Sequence, residues 1–164
     1  MRAKLLLPLL RCPRKKHLSS KMAIVYKYVH VPRHDGTLRK APYISVSIRD
    51  SADKLIEVVA LLDSGADVTV VPKDLALLLG LKEDELETNT RGIGGSTKVK
   101  KTKLSFRVKG ERESYHLTVP ALVLQNPDED VPLLLGRNGF FEEFHITFKQ
   151  AEEKVILKKV EPKH

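Results

Sequence analysis

Val58-Val-Ala-Leu-Leu-Asp-Ser-Gly-Ala-Asp-Val-Thr-Val-Val-Pro72 decides how this chain is read. An apolar run enters a five-residue polar turn, Asp63-Ser64-Gly65-Ala66-Asp67, and a second apolar run leaves it. Asp-Ser-Gly alone is ordinary turn chemistry. Turns at a protein surface do not usually lie between runs as apolar as VVALL and VTVV. A carboxylate at the end of a hydrophobic strand is held where the dielectric is low and its charged form is disfavoured. Gly65 allows a tight turn in which the backbone approaches that carboxylate, and Ser64 is placed to hydrogen-bond to another copy of the loop.

Outward from this loop the pattern is one of short strands and turns. Upstream, MAIVYKYVHV (22–31) and YISVSI (43–48) alternate as half-buried strands do, with turns at His34-Asp35-Gly36 and Ser51-Ala52-Asp53 before the strand LIEVVALL (55–62). Downstream, Pro72 precedes a short helix in which Leu75, Leu78 and Leu79 share a face and Gly80 closes the C-terminus. A polar, acidic loop over 82–90 leads to the glycine-rich turn Arg91-Gly-Ile-Gly-Gly-Ser96. TKLSFRV (102–108) and SYHLTVPALVL (114–124) form another strand pair, and Asn126-Pro127-Asp128 is a turn. VPLLLG (131–136) precedes a short helical stretch, RNGFFEEF, of little more than two turns because Gly139 weakens it. HITF and KVILKKV close the chain as a hairpin. Many strands, one or two short helices and no βαβ rhythm predict an all-β fold, a small closed or partly closed barrel.

Composition bounds the function. At 164 residues, 41% hydrophobic and 30% charged, the chain is one soluble domain with a tail to spare, and no apolar run approaches the roughly 20 residues of a membrane span. The net charge of +8 invites a nucleic-acid reading. Residues 1–21, however, carry seven Lys or Arg and no acid, so 22 of the 29 basic residues face 21 acidic ones in the remainder. The division expected is a basic, unstructured leader over 1–21 and a folded domain over 22–164. The leader has three readings: a signal peptide interrupted by Pro8, a basic arm for nucleic acid or an acidic partner, or a plain leader with Met22 as a sensible start. The lone Cys12 lies within it, which fits a reducing, cytoplasmic setting. The six histidines show no metal-binding spacing, and neither metal nor cofactor is expected.

The run ALLDSGADVTVVP resembles the catalytic loop of retropepsins, single-domain aspartic proteases of retroviral type. LLLGRNGFF (133–141) is similar to that family's second signature, two apolar residues and Gly-Arg-Asn opening a short helix, and RGIGGS is similar to the tip of its flap hairpin. The features occur in the family's order and span residues 58–144. The resemblance implies an aspartic endopeptidase with Asp63, Ser64 and Gly65 as the catalytic triplet. It implies that Ala66, Asp67 and the flap residues Ile93, Gly94 and Gly95 contact a peptide substrate, with Gly136 and Arg137 as structural support. An aspartate dyad needs two carboxylates and the chain has one such loop, so a homodimer with its active site on the twofold axis is expected. Two departures are the polar Ser96 beside a glycine-poorer flap tip and the extra length at both ends, where the closing hairpin provides or replaces the strands that hold a dimer. Two other functions remain: a catalytically inactive dimeric binding or assembly module of the same fold, and nucleic-acid binding through residues 1–21. For Asp67 and Arg137, a plain structural ion pair fits the same pattern.

Overall fold

The computed structural model describes residues 23–32, 35–92, 95–127 and 131–161. The leader, Met22, His34, Ile93, Gly94 and Asp128 lie outside them. The strands are β1 (Ile24–Lys27), β2 (Val29–Pro32), β3 (Leu38–Ala41), β4 (Tyr43–Arg49), β5 (Leu55–Leu62) and β6 (Thr69–Val71). Helix α1 (Lys73–Leu79) comes next, then β7 (Glu87–Gly92), β8 (Gly95–Lys109), β9 (Ser114–Leu124), β10 (Leu133–Leu135), β11 (Phe144–Lys149) and β12 (Lys154–Lys159).

Six strands form a closed barrel in the order β4, β5, β10, β6, β9, β8, with β8 returning to β4 through the pairs Val46–Val108 and Ser47–Arg107. Closure removes the edges that an open sheet would expose. The alternation in the sequence is the cause: Ile44, Val46 and Ile48 on β4, Leu104, Phe106 and Val108 on β8, and Leu117, Val119 and Ala121 on β9 all point inward and are buried. Strand β7 lies outside the ring and pairs with the first part of β8 in a hairpin, from Glu87–Lys100 to Gly92–Gly95.

The expected strand over 22–31 is two strands. β1 pairs with β12, whereas β2 pairs with β3, and one segment cannot serve both sheets without a corner. Tyr28 makes that corner, buried and donating its N–H to the Glu153 carbonyl at 2.7 Å. The closing hairpin β11–β12 joins β1 in a three-stranded sheet within the same chain. An aromatic cluster fastens this sheet to the barrel, with the Phe140 ring 5.3 Å from Phe144 and 6.1 Å from Phe106.

In α1 the buried side chains are Ala76 and Leu79, while Leu78 is exposed. A seven-residue helix presents a narrow stripe; it runs over Leu75, Ala76 and Leu79, which pack on the barrel core, and Leu78 falls outside it. Gly80 caps the helix in the left-handed region, φ 62°. The segment expected to be loop up to Thr90 becomes strand at Glu87, where Lys98 reaches the Glu87 carboxylate at 2.9 Å.

Beneath the 82–84 segment, Lys73 donates to Glu83 at 2.8 Å and to Gln125 at 3.1 Å, and Gln125 donates to Glu83 at 3.0 Å. Burial opposes the charge on Glu83, but these hydrogen bonds, with attraction from Lys73 and Lys100, outweigh it and hold the carboxyl below its usual range. A carboxyl depressed on folding stabilises the fold above the ordinary glutamate value, and that contribution is lost as pH falls through the folded value. Glu83→Gln is therefore expected to lower the urea midpoint at pH 7 and to converge on wild type below about pH 4. An equal deficit at both pH values would mean that the network acts through packing, not charge.

Candidate active site

The two strands that flank the Asp63–Val68 loop do not pair with each other. β10 inserts between them, parallel to β5 (Leu133–Ala60 to Leu135–Leu62) and antiparallel to β6 (Leu134–Val70). The loop therefore spans a third strand and is tied to the end of that strand and to the residues just beyond it. Asp63 N–H donates to the Leu135 carbonyl at 3.1 Å. Arg137 N–H donates to the Ala66 carbonyl at 2.9 Å, and Asn138 N–H to the Asp67 carbonyl at 2.8 Å.

These bonds explain why RNGFFEEF is not the helix its sequence suggests. Asn138 is extended and Gly139 has φ 82°, so only an irregular turn forms over Arg137–Phe141. The two leading N–H groups serve the loop, and Phe140 plunges into the core, fully buried.

Within the loop, Ala66 N–H closes a turn on the Asp63 carbonyl at 3.2 Å, and Gly65 N–H donates to Asp63 Oδ1 at 2.9 Å. A Cβ on Gly65 would stand 3.2 Å from that same oxygen. Glycine here allows the backbone amide to reach the carboxylate. Asp63 is half-buried, whereas Ser64, Gly65 and Asp67 are exposed and Ala66 is intermediate. The Arg137 guanidinium holds the Asp67 carboxylate; with both side chains more than half exposed, this surface pair contributes little stability, about 0–1 kcal/mol.

Gly136 answers a different demand. Its φ of −88° is open to any residue, but an added Cβ would lie 2.4 Å from the Val68 carbonyl carbon. Its N–H faces the Thr69 hydroxyl at 3.4 Å, and Thr69 is fully buried. Thr69 and Leu135 were not among the expected site residues. A lone hydroxyl inside VTVV was the available signal for Thr69, while Leu135 contributes only its carbonyl and leaves no side-chain trace. Of the expected flap residues, Ile93 and Gly94 lie outside the described residues; Gly95, where β8 begins, pairs with Gly92 of β7 and has φ 116°.

A closed six-strand barrel with a DSGAD loop crossed by an inserted strand is the fold of the retropepsin-like aspartic proteases. An aspartyl protease family model matches residues 44–138, more than half of the chain, and the chain belongs to that family. A retropepsin-like aspartic protease from Rickettsia conorii is 20% identical, with a TM-score of 0.52 over 83% of this chain and 98% of that one; the likeness is one of fold. EIAV protease complexed with the inhibitor HBY-793 is 27% identical over 65% of this chain and 88% of that one, but its TM-score of 0.43 is too low to carry weight. No curated protein matches the chain. Among the described residues no helix is long and apolar enough to cross a membrane.

Proposed function

We propose that this chain is an aspartic endopeptidase that acts as a homodimer, with Asp63 of each copy facing the other across a twofold axis. The observation that carries this reading is the Asp63 carboxylate, held by the Gly65 amide in a loop tied to Leu135, Arg137 and Asn138. The sequence contains one such loop, and a dyad needs two.

Two carboxyls about 3 Å apart cannot both ionise readily, so they share one proton. The ionised carboxylate takes a proton from water as the water oxygen attacks the peptide carbonyl carbon. The protonated carboxyl donates to the carbonyl oxygen, giving a neutral tetrahedral diol. Return of a proton to the amide nitrogen and cleavage of the C–N bond release a new carboxyl terminus and a new amine. Ser64 joins the paired loops, while Ala66 and Asp67 meet the substrate backbone and Arg137 keeps Asp67 oriented. Ile93, Gly94 and Gly95 close over an extended peptide as a flap and exclude water.

Activity on an unfolded protein substrate is expected to depend on association. Once dimers are the minority species, the initial rate approaches the square of chain concentration. A constant specific activity in solutions shown by sedimentation to be monomeric would remove the shared dyad. Dimers inert towards many substrates would favour a non-catalytic binding module.

A further inference from the structure

A groove of about 660 Å3 opens one residue beyond Asp67, at Val68. Val68, Pro120 and Leu122 give it apolar lining and Lys82, Lys101 and Lys103 basic lining, and among the described residues Asp84 is the only acidic one that lines it. Among the described residues none of these three ammoniums forms a salt bridge, whereas Lys73, Lys98, Lys149 and Lys154 each hold a carboxylate. Nearby Glu83 is already engaged by Lys73 and Gln125. The two strands that supply most of the groove, β8 and β9, contain six Lys or Arg and no Asp or Glu.

Register fixes the distances. Thr69 on β6 is opposite Ala121 on β9, and Lys101 and Lys103 on β8 are opposite Leu122 and Pro120. The lysines thus stand two strand spacings from the end of the candidate loop, about 10 Å. An extended peptide covers that distance in about three residues. Among the described residues no aromatic side chain lines the groove, so these residues offer no platform for stacking nucleic-acid bases.

We propose that this groove binds an acidic side chain of the peptide substrate, about three residues beyond the point where the peptide passes Asp67. The inference rests on the peptidase reading and names its substrate class: extended segments carrying Asp or Glu to one side of the scissile bond. Carboxylate binding to Lys101 and Lys103 acts on substrate and transition state alike, so it lowers KM more than it raises kcat.

The test uses the full-length chain and a peptide that it cleaves, remade with Glu, Gln or Lys at each position flanking the bond. Glu is expected to raise kcat/KM about 10- to 100-fold over Gln at one flanking site, mainly through KM, with the gain fading in about 0.5 M NaCl. Lys101→Glu with Lys103→Glu is expected to invert the preference towards Lys, and the paired Gln substitutions to abolish it. Equal kcat/KM for Glu, Gln and Lys at every position overturns the inference and leaves the peptidase reading standing. If no peptide is cleaved, the peptidase reading fails, and anisotropy of labelled Glu and Gln peptides decides the groove: equal binding overturns it. A single-stranded oligonucleotide that binds more tightly than the Glu peptide, and is lost in the charge-reversed variant, also overturns it.

Discussion

Asp63→Asn is expected to abolish peptide hydrolysis, by at least about a thousandfold, while the protein still folds and dimerises. Asparagine is nearly isosteric with aspartate, and its side-chain oxygen can still accept the Gly65 N–H, which spans 2.9 Å in wild type. It can neither take a proton from water nor share one with a partner. The loss should therefore fall on kcat, with the melting temperature little changed. Mixing sharpens the result. If subunits exchange at random, adding an equal amount of variant to a fixed amount of wild type leaves about half the original activity, because half of the wild-type chains are held in dead heterodimers. Activity unchanged by mixing, with exchange verified by labelled subunits, would mean that each chain carries a complete site. Wild-type activity in the variant itself would mean that Asp63 is not the catalyst. The surviving activity should be bell-shaped in pH, reporting one ionised and one protonated carboxyl. Because Glu83 is held charged by its neighbours, loss at the acid limb must be separated from acid unfolding by recording the fold at each pH.

What the sequence showed and what it hid divide along the range of the interactions. β5 and β9 begin and end where the alternation and turn residues placed them, at Leu55–Leu62 and Ser114–Leu124, since a strand with one buried face writes its period into the chain. The insertion of β10 between β5 and β6 was not legible from pattern. Leu133–Leu135 is a bare apolar run, and its partners lie about 70 positions upstream, at Ala60–Leu62 and Val70. Local composition permits a helix in the stretch after it; hydrogen bonds to the carbonyls of Ala66 and Asp67 decide otherwise. Charge was hidden by summation. The near balance of acids and bases beyond the leader is real, yet β8 and β9 hold six bases and no acid. The run Lys98–Lys103 was the local sign that a net figure conceals.

Gly136→Ala is expected to cost about 3 kcal/mol of stability, lowering the melting temperature by about 6–12 °C. One methyl group has so large an effect because of what it would meet. A Cβ at this position lies 2.4 Å from the Val68 carbonyl carbon, 2.5 Å from its oxygen and 2.9 Å from the Thr69 nitrogen. All three are backbone atoms, so no rotamer change relieves the contact. Neither side yields easily: Thr69 is paired to Ala121 in the barrel, and Leu135, just before the glycine, is paired to Leu62. Any shift that makes room moves Arg137 and Asn138 away from the Ala66 and Asp67 carbonyls, so the loop around Asp63 loosens together with the barrel. Gly65→Ala is the informative contrast. Its Cβ would sit 3.2 Å from a side-chain oxygen, Asp63 Oδ1, which can swing aside. Stability should change by less than about 1 kcal/mol, while the displaced carboxylate loses its amide and hydrolysis falls. Urea midpoints for both variants decide the matter. A Gly136→Ala protein within about 0.5 kcal/mol of wild type would show that β10 and the start of β6 are not locked in contact, and the account of how the loop is held would fail with it.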